Sequence, residues 1–163
     1  MRNQFLELGS RAKYVNSYSS GPNGRSVMED IMAGAPLYIL VCSGEHEKLQ
    51  MAAMMASVGA VSERPVEVFV SMNAIFAFAR DATPDRRYRG DAFSQLMKDK
   101  HAPDVLVLLR QGKEFGDLKI WACSMALDVA GLEMDHLVEE LFDGPLGLTK
   151  FLSDAEAGQL VTL

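Results

Sequence analysis

Apolar residues in this chain fall into short continuous runs that alternate with longer stripes at helical spacing. Leu37-Tyr38-Ile39-Leu40-Val41-Cys42 is an unbroken apolar run followed at once by Ser43-Gly44, which predicts a buried strand ending in a loop. Over residues 45–61, Leu49, Ala52, Ala53, Ala56 and Ala60 recur at helical spacing. Glu45 and Glu47 lie in the first turn, where a helix dipole favours acids. Residues 66–70 predict a second strand, and residues 74–79 form an apolar patch that fits either period. Residues 83–91 read as a charged loop and 93–100 as a short helix. Residues 105–109, Val-Leu-Val-Leu-Leu, have the composition of a strand, yet Pro103-Asp104 is a good helix start and Gly116 a good helix end. A helix is therefore predicted there. Residues 119–123 predict a third strand, Ser124–Ala130 a helix closed by Gly131, and 137–141 a fourth strand. A helix over 145–157 behind the breaker Gly144 and a terminal strand over 160–163 complete the pattern.

Strands alternating with helices predict an α/β fold around a mostly parallel sheet of about five strands, joined by right-handed crossovers. Ligands and reactive groups in such sheets gather beyond the carboxyl ends of the strands. Both cysteines fall there. The turn formers Ser17-Tyr18-Ser19-Ser20-Gly21-Pro22-Asn23-Gly24 mark residues 1–35 as an N-terminal arm that can pack on a neighbouring subunit, with the α/β domain over 36–163.

The length of 163 residues fits one such domain, enough to bury a core without metals or disulfides. Two cysteines and no leader-like stretch predict a reducing compartment, the cytoplasm. The apolar runs fall short of the ~20 residues of a spanning helix. A net charge of -6 with scattered basic residues carries no footprint for nucleic acid. The patch Arg86-Arg87-Tyr88-Arg89 reads as a solvated loop.

The strongest candidate for chemistry is Cys123, which closes a strand just before a helix. Free amides at a helix start favour a thiolate and can hold a persulfide or sulfenate anion. Plain burial of a small apolar thiol is an equal alternative on position alone. Ser124 and Asp128 are candidate neighbours in the following helix, and the Asp128 carboxylate opposes a thiolate unless it points away. Cys42 ends the first strand. It can form a disulfide with Cys123 or hand sulfur to it if their strands are neighbours, although packing is the commoner role. His46 is a candidate proton donor, more often a first-turn surface residue. Cys42, His46 and Cys123 lack the close spacing of a zinc site, so no metal or other cofactor is expected. His101 and His136 are expected to be exposed. No phosphate-binding glycine loop and no Gly-x-Ser-x-Gly elbow occurs. Met51, Met54 and Met55 read as adaptable packing, and Ile75, Phe76 and Phe78 as a patch that can dock a second subunit.

The segment Phe115-Gly116-Asp117-Leu118-Lys119-Ile120-Trp121-Ala122-Cys123-Ser124-Met125-Ala126-Leu127-Asp128-Val129-Ala130-Gly131-Leu132 resembles the active segment of DsrE/DsrF-like proteins, the peroxiredoxin-like branch above all. The first strand, the Phe76 and Phe78 segment, and the closing helix and strand also match, so the likeness covers about residues 36–163. The resemblance implies a three-layer α/β/α sandwich, a homo-oligomer such as a trimer or hexamer, and a role in sulfur trafficking. Cys123 would carry sulfane sulfur as a persulfide, with rhodaneses or TusA-type carriers as partners. Two other readings stand beside it: a thiol redox protein in which Cys42 resolves an oxidised Cys123, and a non-catalytic binding module with both cysteines in the core.

Overall fold

Three largely apolar runs reach the middle of the protein because a parallel sheet covered on both faces gives most side chains along them a place out of water. β1 (Leu37–Val41), β2 (Val66–Val70) and β3 (Leu118–Cys123) lie side by side, with β4 (Gly144–Leu146) and β5 (Gln159–Thr162) at the two edges. The order is β4-β3-β2-β1-β5 and every pairing is parallel. This structure, a computed structural model, describes residues 34–163; all but the last two residues of the expected arm lie outside the described residues.

The helices among the described residues are α1 (His46–Val61), α2 (Ala74–Ala77), α3 (Pro84–Arg87), α4 (Ala92–Asp99), α5 (Val105–Phe115), α6 (Ser124–Ala130) and α7 (Leu148–Ala155), with a 3-10 turn at Met134–His136. The chain lays down β1 to β4 in one direction across the sheet, then returns past β1 to β5. Right-handed crossovers in opposite directions must run over opposite faces. That is why α1 and α5 cover one face, against Leu37, Ile39, Val41, Val66, Val68, Val70, Leu118 and Ile120. Phe151 and Ala155 of α7 cover the other, against Tyr38, Phe69 and Cys123. The result is the expected three-layer α/β/α sandwich.

Helix α1 meets the sheet through small residues, Ala52, Ala53, Ala56 and Ala60, all buried. Its backbone can therefore come close to its neighbours. A Cβ at Gly116 would lie 2.3 Å from the Ala60 carbonyl, and one at Gly112 2.7 Å from Leu118 Cδ2. Gly116 does end α5, as expected, but in an extended conformation (φ -150°). Close approach to α1 is what requires glycine there. Gly131, by contrast, closes α6 in the left-handed region at φ 63°, where a side chain is strained.

The strand-like run at 105–109 is helical because its start is capped. The Asp104 carboxylate accepts hydrogen bonds from Leu106 N at 2.9 Å and Val107 N at 3.2 Å, and also from the Tyr88 hydroxyl. Val105, Leu109 and Gly112 then turn to the core at spacings of four and three, the period of one helix face.

The C-terminal third corrects two expectations. Residues 137–141 are no strand: Leu137 makes an isolated bridge to Ala79, and Leu137, Val138 and Leu141 plug the core beside the 3-10 turn. The fourth strand is Gly144–Leu146, placed by sequence inside a breaker and a helix. Asp143 decides this, because its N–H donates to Ile120 O at 2.8 Å and its carboxylate accepts from Ile120 N at 2.7 Å. Pro145 is tolerated because β4 is an edge strand. The charged loop at 83–91 is also only partly solvated. It contains α3, and buried Arg87 donates to the carbonyls of Ala77, Ala79 and Ala82.

Asp104→Ala should destabilise the protein by about 2 kcal/mol, since an N-cap acid is typically worth ~1 kcal/mol and the Tyr88 hydroxyl loses its partner as well. Asp104→Asn, which keeps an accepting oxygen, should cost clearly less. Urea unfolding of the two variants measures the difference.

Candidate functional site

The carboxyl ends of β1, β2 and β3 bring three residues into line. Val41 pairs with Val70 and Val70 with Ala122. One residue further on, Cys42, Ser71 and Cys123 form the next row. The ladder continues that far: Ser71 N donates to Val41 O at 2.9 Å, and Cys42 N to Leu163 O at 2.9 Å. Alternation along each strand gives the row the same face as Tyr38, Phe69 and Trp121, opposite α1 and α5. Cys123 packs there with Phe69, Phe151 and Ala126, the two phenyl rings being stacked at 4.8 Å.

Cys123 is 3 % exposed and caps the start of α6. Cys42 is partly exposed. Burial pushes the Cys42 thiol above its ordinary range, and the nearby Cys123 thiol adds to the effect. The two are close enough to feel one another, yet their strands are not neighbours, because β2 lies between them. Two strand spacings put their Cα atoms about 10 Å apart, beyond the ~7 Å that a disulfide spans. The direct Cys42-Cys123 disulfide expected for adjacent strands therefore requires backbone movement.

Ser71 is buried in the middle of this row, and sequence reasoning passed over it. A signal was present, since Ser71 follows the strand-forming run Val-Glu-Val-Phe-Val just as Cys42 follows Leu-Tyr-Ile-Leu-Val. Ser124 and Asp128 are both exposed on α6. Beside them an apolar groove of about 190 Å³ opens between α2 and α6, lined by Met72, Phe76, Met125 and Val129 with Ala126 next to the thiol cluster. Of the expected aromatic patch only Phe76 is exposed, while Ile75 and Phe78 are buried. Met51 and Met54 are exposed as well, and only Met55 packs against the core.

His46 is neither a surface residue nor part of this row's hydrogen bonding. It is 5 % exposed, its Nδ1 lies 2.7 Å from Ser94 Oγ, and its ring stacks on Tyr88 at 4.6 Å. Next to it the Glu47 carboxylate accepts from Asp91 N and Ser94 N, both at 2.9 Å. The pair thus pins the start of α4 to α1. His101 and His136 are exposed, as expected. Among the described residues no three His, Cys, Asp or Glu side chains gather as a metal site would need, and no described helix is long and apolar enough to cross a membrane.

A parallel α/β/α sandwich with a thiol at the end of a central strand is thus the class of protein defined here. The profile of the DsrE/DsrF/DrsH-like family matches residues 83–163, from α3 through β5 and including Cys123. Residues 83–163 are thus similar to a family that is broadly linked to sulfur relay. Among solved structures, a protein of unknown function from Methanobacterium thermoautotrophicum is similar at 15% identity and a TM-score of 0.47, covering 79% of this chain and 99% of that one. No curated protein sequence matches.

In the native protein at neutral pH, iodoacetamide should modify Cys42 well before Cys123, and the Cys42 rate should keep rising past the pH at which an unperturbed thiol has ionised. Peptide mass spectrometry of timed samples gives both rates. His46 supplies a second pH effect. Burial lowers its pKa from the ordinary 6.5, so the unfolded chain binds the proton more readily. The stability it contributes is complete above 6.5 and is lost as pH falls toward the depressed folded value. Thermal melts across this range should show that decline, and His46→Gln should flatten it.

Proposed function

We propose that the protein is a sulfur carrier or sulfurtransferase that holds sulfane sulfur as a persulfide on Cys123 and passes it to an acceptor protein. The observation that carries this reading is the position of Cys123, at the carboxyl end of a central parallel strand and inside the segment that matches a sulfur-relay family. The walls of Phe69, Phe151 and Ala126 suit such a role, because a dry apolar pocket keeps water and small reductants from a labile sulfur–sulfur bond. Rhodaneses and TusA-type proteins are the donors and acceptors that fit this chemistry, and the cytoplasm is the compartment.

A homo-oligomer, a trimer or hexamer, belongs to the same reading. Helix α1 is apolar on its outer side too, where Met51, Met54, Val58 and Val61 are exposed, and an exposed apolar stripe of this kind is normally covered in an assembly.

The redox alternative is weakened by the two-strand separation of the thiols. The burial of Cys123 favours one rival, a binding module in which the thiol is a core residue. Intact-mass spectrometry separates the two. After incubation with a sulfane-sulfur donor, the carrier gains the mass of one sulfur atom, reversibly with reductant, and Cys123→Ser abolishes the stable gain. An unchanged wild-type mass would establish the binding module instead.

A further inference from the structure

At 3 % exposure the Cys123 sulfur is walled off from any donor while the fold is closed. Cys42 is the more exposed thiol, and its strand occupies a special place. β1 lies between β2 and β5, where the chain's progress across the sheet reverses. In open α/β sheets the crevice beyond the carboxyl ends at such a reversal is where ligands approach. Between the two thiols, in the same row and on the same face, stands Ser71, a small polar residue. A bulkier side chain there would fill the path.

The separation that forbids a direct disulfide does not forbid a hand-over. A persulfide on Cys42 carries its outer sulfur one S–S bond, about 2 Å, beyond its own Sγ. The two thiols stand in one row on one face of the sheet, with only β2 between their strands, so rotation of both side chains toward Ser71 narrows the gap that the outer sulfur has to cross. We propose that Cys42 is the loading thiol and Cys123 the storage thiol, with sulfane sulfur taken from a low-molecular-weight persulfide and passed inward across Ser71. This relay rests on the carrier reading above and gives it a port.

The chemistry balances without an oxidant. The Cys42 thiolate attacks the outer sulfur of the donor persulfide; the donor's S–S bond breaks, a new one forms to Cys42, and the donor leaves as a thiolate that takes up a proton. The Cys123 thiolate then attacks the outer sulfur on Cys42. The bond between that sulfur and Cys42 Sγ breaks, and Cys42 leaves as a thiolate that takes the proton Cys123 gave up. The sulfane sulfur keeps its oxidation level throughout.

Glutathione persulfide is a suitable probe, with samples quenched by an alkylating agent at short intervals and the extra sulfur located by peptide mass spectrometry. In the wild type the sulfur should appear on Cys42 first and accumulate on Cys123. In Cys123→Ser the sulfur should appear on Cys42 at the shortest intervals and then be lost without accumulating. Cys42→Ser and Cys42→Ala should load Cys123 at least about tenfold more slowly, since only the buried thiol then remains to react. Ser71→Val, which keeps both thiols, should hold sulfur on Cys42. Wild-type loading of Cys123 in both Cys42 variants overturns the relay and leaves the carrier reading intact, and unimpeded filling of Cys123 in Ser71→Val overturns the path across Ser71. A wild-type protein that takes sulfur on neither cysteine overturns the relay and the carrier reading together.

Discussion

Close packing between α1, α5 and the sheet is the constraint on which the rest of the protein depends. Four alanines of α1 are buried in this packing, and Gly112 and Gly116 let α5 come so near that a single methyl group at either would collide with Leu118 or with the Ala60 backbone. Such contacts are short-ranged and unforgiving, as protein interiors pack at the density of organic crystals. They fix where β1, β2 and β3 end relative to one another. The alignment of Cys42, Ser71 and Cys123 is a consequence of that register.

The opposite face is built differently. There the cover is the short helix α7 together with Ala126 of α6, with aromatic residues filling the space: Tyr38 meets Phe151 edge-on at 5.8 Å and Phe69 stacks on it. Trp121 remains part-buried, its Nε1 donating to the Glu67 carboxylate at 2.8 Å. A tightly packed face thus supplies rigidity, and a thinner aromatic face holds the thiols. That side keeps Cys123 dry, at 3 % exposure.

Much of this arrangement can be read along the chain. Residues 66–70 are strand-forming and, apart from Glu67, apolar, as expected of a strand covered on both sides, and the alanine stripe of α1 fits a helix that presses closely on its neighbours. Asp104 reveals the helix start that overrides the strand-like run after it. The position of Cys123 between a strand and a helix is equally local. Residues 137–146 were misread because their conformation depends on Asp143 reaching the backbone of Ile120, a contact 23 residues away with no trace in local composition. His46 was misread for a similar reason. Nothing beside it in sequence indicates Ser94 and Tyr88, which bury it.

The alternation of strands and helices, the parallel sheet and the candidate thiol are legible along the chain, because each follows from periodicity, caps and composition over a few consecutive residues. Which strands are neighbours is not legible there. Strand order is a property of long-range packing, set by how helices of given bulk fit across a sheet and by the handedness of each crossover. By putting β2 between β1 and β3, that packing separated the two cysteines too far for a disulfide, and it set Ser71 in the gap between them.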